Sequence, residues 1–271
     1  MIAVFGLMLA VSLTRLAAIE RQENVSSRDY AEAVRLVQAP SPTVPAHLPA
    51  SAAVPGRTAG PEPGPAVADD AADPEIHALQ LMDIEALREV NRDVMGWIRI
   101  PDTDINYPLL RGEDNAHYLK YNWKNKPSAA GAIFMEHENA ADFSDFNTII
   151  YGHNMRSGSM FGGLKAYRSR SYWEAHPSIY IRHDHGVWRY DIFAAHRVRV
   201  GTITYAMQIK ESDQREEFIR FALDHSEIDT GIEPAAGDHI LTLSTCTGDY
   251  STRWVVQGVL NEAQSYDGET P

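Results

Sequence analysis

The stretch ILTLSTCTGDYSTRWVVQGVL, residues 240–260, decides how the C-terminal part of this chain folds. Its two halves are rich in apolar and β-branched residues, and the TGDYST segment between them is typical of a turn. The pattern predicts a β-hairpin in which the first strand ends at Cys246 and the second begins at Arg253. Directly opposed residues of such a pair have Cβ atoms about 5 Å apart, so the thiol and the guanidinium could act on one substrate.

The alternation of side chains along a strand assigns the two faces of this hairpin. The mostly apolar face carries Leu241, Leu243, Thr245, Trp254, Val256 and Gly258. The other face places the thiol beside the cation and several polar groups, and it consists of Thr242, Ser244, Cys246, Arg253, Val255 and Gln257. A neighbouring permanent cation favours the thiolate, which is the nucleophilic form of cysteine. The same guanidinium could instead donate hydrogen bonds to an oxyanion.

A cysteine nucleophile needs a proton donor for its leaving group, and histidine is the usual one. Among the 11 histidines, His153 directly follows the apolar strand TIIYG and begins a loop, which is typical of a functional position. Each assignment has a plainer alternative: a lone cysteine is more often a small buried residue, Arg253 a solvated charge and His153 a structural histidine. His183 and His185 are predicted to flank a turn, since a metal site would need a third ligand that the sequence does not indicate.

Composition excludes several classes of protein. The chain has 271 residues with 24 basic and 37 acidic side chains, which gives a net charge of −13. Nucleic-acid binding is not expected, because phosphate contacts require clustered Lys and Arg. The single cysteine excludes an intrachain disulfide framework and a cysteine-rich zinc site. The length and the 44% of hydrophobic residues allow one or two domains with a real core.

The chain divides into three parts. Residues 1–20 are largely apolar and predict an N-terminal membrane anchor, which is short for a full span and lacks a basic flank, as a truncated anchor would. Residues 21–75 predict a Pro- and Ala-rich disordered linker, because nine of the 15 prolines lie between Pro40 and Pro74. A short polar helix over 20–38 is expected between anchor and linker. Residues 76–271 are predicted to form the folded domain.

Eight strand-like runs dominate the folded domain and predict an antiparallel or mixed β-barrel without long parallel crossovers. A helix is expected from Ile76, with Leu79, Met82, Leu87 and Val90 on one face. A second, over 214–226, is expected to turn Phe218, Ile219, Phe221 and Ala222 toward the core, and Pro108 predicts an edge strand. The strand-like runs are 94–100, 105–110, 129–136, 146–153, 178–183, 188–199, 239–245 and 253–260.

These motifs resemble those of sortases, the cysteine transpeptidases of Gram-positive bacteria. TLSTC at 242–246, Arg253 seven residues later in a new strand, and IIYGHNM around His153 occur in the order that the family has. The loop between Cys246 and Arg253 is shorter than is usual in class B sortases. The likeness to that class nevertheless extends over roughly 80–262, through the helical N-terminal extension, VNRDVMGWIRIPDTDINYPLL, AAGAIFME and the helix at 214–226.

The resemblance implies the eight-stranded sortase barrel and a role for each matching residue. Cys246 would attack the carbonyl of the Thr in a C-terminal sorting motif and form a thioester. His153 would protonate the leaving amine and later take a proton from the incoming one. Arg253 would hold the substrate backbone and stabilise the oxyanion. Four neighbouring residues are expected to contribute to substrate binding: Thr242, Ser244, Thr245 and Tyr250.

The resemblance also implies partners and location. The substrates would be secreted proteins with a C-terminal sorting signal, and the acceptor would be the amine of a peptidoglycan cross-bridge or of its lipid-linked precursor. The enzyme would be held at the cell membrane by one N-terminal span, with the catalytic domain outside the cell. No cofactor and no metal are implied, and no nucleic acid is expected as a partner.

Three alternatives compete with this interpretation. The chain could be an inactive sortase-like binding module, or a sortase that joins pilin-like proteins rather than cell-wall acceptors. A papain-like thiol hydrolase is disfavoured because the cysteine ends a strand rather than beginning a helix, and because His153 precedes Cys246.

Overall fold

The computed structural model of the chain describes residues 26–38, 73–248 and 251–266. The predicted anchor, residues 1–20, and most of the predicted linker lie outside the described residues, as does Tyr250. Within the described ranges, no helix combines the length and the apolar character needed to cross a membrane.

Eight strands close into one barrel, and in the order of their pairing they are β1 Val94–Arg99, β2 Asn106–Leu110, β3 Ile133–Met135, β4 Asn147–Tyr151, β7 Ile240–Cys246, β8 Thr252–Ser265, β6 Gly186–Arg199 and β5 Ser178–His183. Two neighbouring pairs, β2–β3 and β4–β7, are parallel, and the other six are antiparallel. Each strand-like run of the sequence overlaps one of them, and the prediction of a mixed barrel is confirmed.

Two expectations about the sheet were wrong. A long parallel crossover exists, because the chain leaves β4, builds β5 and β6, and returns to pair β7 in parallel with β4. Pro108 does not mark an edge, because barrel closure gives β2 a neighbour on each side. The proline is tolerated since β2 pairs with β3 only at Leu109 and Leu110, so Pro108 borders the short parallel ladder without interrupting it.

The helices surround the barrel, and one expected helix is split. Asp73 caps helix α2, Pro74–Gln80, by accepting a hydrogen bond of 2.9 Å from the Glu75 amide. Leu87 is buried within helix α3, Glu85–Arg88, whereas Val90, in the turn that follows α3, is 48% exposed and does not belong to the apolar face predicted for it. The helices are α1, residues 26–38, α2 Pro74–Gln80, α3 Glu85–Arg88, α4 Arg170–Ala175 and α5 Ser212–His225.

Helix α1 is packed onto the barrel. Its buried face consists of Tyr30, Ala33 and Val37, which join the main hydrophobic core. The Val37 carbonyl accepts a hydrogen bond of 3.1 Å from the Asp83 amide, next to α3. The folded unit therefore includes residues 26–38 in addition to the segment that begins at Asp73, because burying this apolar face stabilises the docked helix.

Helix α5 covers a second, smaller core at one end of the barrel. Phe218, Ile219 and Ala222 are buried there, as the sequence predicts. Phe221 is only half-buried, contrary to expectation, and its ring stacks on His225 at a centroid distance of 4.1 Å. The helix turns Phe221 to the margin of its apolar face, where the ring contacts another side chain of the same helix.

Two buried histidines make the fold sensitive to acid. Burial, together with a smaller contribution from the nearby His185, lowers the pKa of His183 to about 4, and burial with a contribution from His225 lowers the pKa of His196 to about 4. Neither ring nitrogen of His196 has a hydrogen-bond partner among the described residues. The unfolded chain binds a proton at each position below its ordinary pKa of about 6.5, whereas the folded chain does not until about pH 4. The contribution of these two neutral histidines to the free energy of unfolding is therefore fully present above pH 6.5 and is lost as the pH falls toward 4.

We predict that His196→Leu flattens this pH dependence. Leucine places an apolar side chain where the ring nitrogens of His196 have no hydrogen-bond partner. It also removes a group whose protonation accounts for up to about 3 kcal/mol of the fall in the free energy of unfolding at low pH. The free energy of unfolding, measured in urea at pH 7 and pH 4.5, should fall less for the variant than for the wild-type chain. An equal fall in both proteins would contradict the assignment.

Candidate active site

The register of β7 and β8 places Cys246 directly opposite Arg253. Ser244 is opposite Val255, and Thr242 is opposite Gln257, so the two faces predicted for this hairpin are confirmed. Cys246 is a free thiol and, like Arg253, is partly exposed at the end of the strand pair. A free thiol and a permanent cation therefore meet at one accessible rim of the barrel.

His153 is brought to the same rim by the parallel pairing of β4 with β7. Tyr151, the last residue of β4, is in register with Ser244. The Gly152 amide donates a hydrogen bond of 3.2 Å to the Ser244 carbonyl, and the Asn154 side-chain amide donates one of 2.8 Å to the Cys246 carbonyl. The chain on each side of His153 is thus attached to the strand that carries the thiol.

The imidazole of His153 is held by the connection between β2 and β3. Its Nε2 lies 2.8 Å from the carbonyl oxygen of Leu119, which can only accept, so Nε2 donates and carries the proton. Gly131 lies against the same ring at φ +57°, and a Cβ there would come within 3.0 Å of His153 Cδ2 and 2.4 Å of the Tyr118 carbonyl oxygen. Only glycine fits beneath the ring without a clash.

Two tyrosines that the sequence did not single out lie near Cys246 and Arg253. Burial raises the pKa of Tyr205; its hydrogen bond to Ser244 and the Arg253 charge lower it, and the Cys246 charge raises it. Burial also raises the pKa of Tyr151, and Arg253 again opposes the shift. Both hydroxyls therefore stay protonated, and both lie within the electrostatic reach of the Arg253 guanidinium.

Glu136, at the end of β3, holds one of these tyrosines. Its Oε2 accepts a hydrogen bond of 2.9 Å from the Tyr151 hydroxyl, and its Oε1 accepts one from the Asn115 side-chain amide. Burial opposes ionisation, but these hydrogen bonds and a contact with His137 outweigh it and keep the pKa of Glu136 below its usual value. The buried, ionised Glu136 carboxylate thus orients the Tyr151 hydroxyl.

The hydroxyls predicted to bind substrate are buried. The Thr242 hydroxyl donates a hydrogen bond of 2.7 Å to Oδ1 of Asn147 and accepts one of 3.1 Å from Nε2 of Gln257. These buried hydrogen bonds connect β4, β7 and β8. The Ser244 hydroxyl lies 3.0 Å from the Tyr205 hydroxyl, and Thr245 is also buried. The structure therefore brings Cys246, Arg253 and His153 to the rim and places Thr242, Ser244 and Thr245 beneath it, while Tyr250 lies outside the described residues.

The pair His183 and His185 has no metal-ligand geometry in the described part of the chain. The His183 ring packs against Phe143 and Trp188 at centroid distances of 4.9 and 4.3 Å. The described residues contain no group of three His, Cys, Asp or Glu side chains arranged to hold a metal ion.

Comparisons with known proteins agree on one family. The family model described as a sortase domain matches residues 98–261. Sortase B of Listeria monocytogenes is 35% identical over 196 residues, which are 70% of this chain and 79% of that protein. Sortase B of Staphylococcus aureus is 30% identical over 167 residues, which are 62% of this chain and 68% of that protein.

Solved structures show the same likeness. A Staphylococcus aureus sortase B–substrate complex superposes with a TM-score of 0.64 at 28% identity, covering 67% of this chain and 85% of that one. Sortase B from Bacillus anthracis in complex with AAEK1 gives a TM-score of 0.61 at 32% identity, covering 66% of this chain and 84% of that one. The closed eight-stranded mixed barrel therefore matches sortase B structures.

Proposed function

We propose that this chain, which belongs to the sortase family, joins secreted proteins to a cell-wall amine through a thioester on Cys246. The relatives are sortase B proteins, so the chain is a cysteine transpeptidase of that class. The proposal rests on one observation above all: Cys246 and Arg253 are cross-strand partners at the strand end to which the His153 loop is hydrogen-bonded.

The first half of the reaction cleaves the donor protein. The Cys246 thiolate attacks the carbonyl carbon of the Thr in the sorting motif, and the carbonyl oxygen becomes an oxyanion. Arg253 donates hydrogen bonds to this oxygen, as a fixed cation beside the thiol can. The C–N bond then breaks, His153 protonates the leaving amine, and a thioester remains on Cys246.

The second half transfers the acyl group. The amine of a peptidoglycan cross-bridge, or of its lipid-linked precursor, attacks the thioester carbonyl and gives its proton to His153. The C–S bond breaks, the new amide bond is complete, and Cys246 leaves as the thiolate. His153 thus exchanges one proton in each half-reaction, and no net oxidant or reductant is required.

The ring orientation of His153 supports Nδ1 as the nitrogen that exchanges this proton. The Leu119 carbonyl keeps the Nε2 proton engaged, because a carbonyl oxygen can only accept a hydrogen bond. Nδ1 of the neutral ring then carries the free lone pair. The fixed tautomer removes one degree of freedom from a proton transfer that must occur in a defined direction.

The proposed location is the outer face of the cell membrane, with residues 1–20 as a single N-terminal span. The apolar character of this segment supports the proposal, as does its position six residues before the docked helix α1. We expect the full chain to sediment with membranes and a chain lacking residues 2–20 to remain in the soluble fraction. Equal distribution of the two proteins would contradict a membrane anchor at this end.

Cys246→Ala should abolish cleavage of a sorting peptide, reducing turnover by roughly three orders of magnitude or more, because no other thiol exists in the chain. The substitution removes one partly exposed sulfur, so the free energy of unfolding should stay within about 1 kcal/mol of the wild-type value. The assay incubates the full chain with a library of sorting pentapeptides and detects the acyl-enzyme by mass. Undiminished turnover by the variant would overturn the mechanism.

The same assay separates the competing functions. An acyl-enzyme that is released only when a cross-bridge amine is added identifies a cell-wall transpeptidase. Release by a lysine-bearing protein instead would favour a pilin-joining sortase. A wild-type chain that binds peptides but forms no acyl-enzyme would be an inactive binding module.

Arg253→Lys should lower kcat/KM by about tenfold or more, because lysine keeps the charge but lacks the planar fork of donors. Arg199→Lys is the matched control, since Arg199 is exposed at the end of the neighbouring strand β6. Near-wild-type activity of Arg253→Lys would mean that the site requires only a positive charge.

A further inference from the structure

The connection between β2 and β3, residues 111–132, forms the wall against which the His153 ring rests. It contacts the ring through the Leu119 carbonyl and through Gly131, which lies just before β3. The connection folds back on itself, because the Ala132 amide donates 2.8 Å to the Tyr118 carbonyl and the Ser128 amide donates 2.8 Å to the Lys120 carbonyl. Any displacement of this hairpin-like connection therefore moves the support of the imidazole.

Helix α1 clamps the far end of this connection. The Asp29 carboxylate accepts a hydrogen bond of 2.8 Å from the Asn122 side-chain amide and forms an ion pair with Lys124 at 3.1 Å. The Asp29 backbone carbonyl accepts a hydrogen bond of 2.8 Å from the Trp123 indole. Lys124 also pairs with Glu32 at 2.5 Å. The Trp123 ring is fully buried beneath this polar cluster, so the tip of the connection is held by packing and by charge.

Tyr30 clamps the near end, next to the histidine. Its hydroxyl donates a buried hydrogen bond of 2.7 Å to the carbonyl oxygen of Gly131, the residue that lies under the His153 ring. The Tyr30 ring meets Tyr107 edge-on at 5.1 Å, which fixes the direction of the hydroxyl. Only Gly131 thus lies between Tyr30 and the imidazole, although Tyr30 precedes His153 by more than 100 positions in the chain.

We propose that Tyr30 is a positioning residue for His153, acting through the Gly131 carbonyl, so that the docked helix α1 is part of the catalytic apparatus. The inference rests on the proposed role of His153 as the proton-transfer group. Gly131 has no side chain and adopts a left-handed backbone conformation; its amide is held within the connection by the Ser128 carbonyl at 3.2 Å, and the Tyr30 hydroxyl holds its carbonyl from α1.

The chain contains a matched control for this bond. The Tyr167 hydroxyl also donates 2.7 Å to a backbone carbonyl, that of His176, and the Tyr167 side chain is likewise buried. None of its hydrogen bonds or ring contacts described by the structure involves His153 or the 111–132 connection. Tyr30→Phe and Tyr167→Phe therefore each remove one buried hydrogen bond from a tyrosine hydroxyl to a backbone carbonyl. Only the bond of Tyr30 ends on a residue that contacts the His153 ring.

We expect Tyr30→Phe in the full chain to lower kcat by about threefold to tenfold with KM within about twofold of wild type, because proton transfer depends on ring geometry. Tyr167→Phe should leave both constants unchanged. Thermal unfolding of each variant shows whether the fold is retained. Unchanged kcat in a folded Tyr30→Phe chain, or an equal loss in Tyr167→Phe, would overturn the proposal.

A second measurement does not depend on turnover. The ring ¹⁵N shifts of His153, assigned by their loss in His153→Ala, report which nitrogen carries the proton when the ring is neutral. The wild-type chain and Tyr167→Phe should show the Nε2–H tautomer, and Tyr30→Phe should show a mixture. Identical shifts in all three proteins would overturn the positioning role, whereas a wild-type chain without transpeptidation would instead contradict the proposed function.

Discussion

The parallel pairing of β4 with β7 is the interaction on which the site depends. It brings the segment around His153 beside the strand that ends at Cys246, although 93 positions separate the two residues in the chain. Backbone and side-chain hydrogen bonds on both sides of His153 hold it in that register. A slip of one residue would turn every side chain of β4 to its opposite face, so the ladder specifies both closure of the barrel and the placement of the histidine.

Buried polar groups beneath the rim maintain this register. Asn147 on β4, Thr242 on β7 and Gln257 on β8 form one hydrogen-bonded chain across three adjacent strands. Such a network is costly unless its members find partners, so it favours the alignment in which they meet. Helix α1 adds a restraint from outside by holding the 111–132 connection, and the His153 ring is therefore supported from two directions. The geometry of Cys246, Arg253 and His153 therefore depends on the buried hydrogen bonds between strands and on helix α1 more than on contacts among these three residues.

Much of the fold was predictable because its signals are local. Alternation in 240–260 identifies the hairpin and the pairing of Cys246 with Arg253, since both depend only on strand geometry and the turn between the strands. Local patterns failed where a tertiary contact decided the outcome. Val90 is exposed because a turn ends its helix early, and Pro108 is tolerated within a closed barrel because β3 is short. The docking of α1 was not evident, because three buried residues in a polar helix form a weak periodic signal.

By itself, the sequence determined the strand-rich domain, the hairpin with its thiol and cation, and the motifs that place the chain among the sortases. Only the tertiary structure decided what surrounds His153: the Leu119 carbonyl, the bare Gly131 and the Tyr30 hydroxyl. The physical reason is that a carbonyl group and an absent side chain carry no residue-specific signal, since every residue has the first and any glycine provides the second. Their function arises from long-range packing, which places α1, the 111–132 connection and the β4–β7 ladder together.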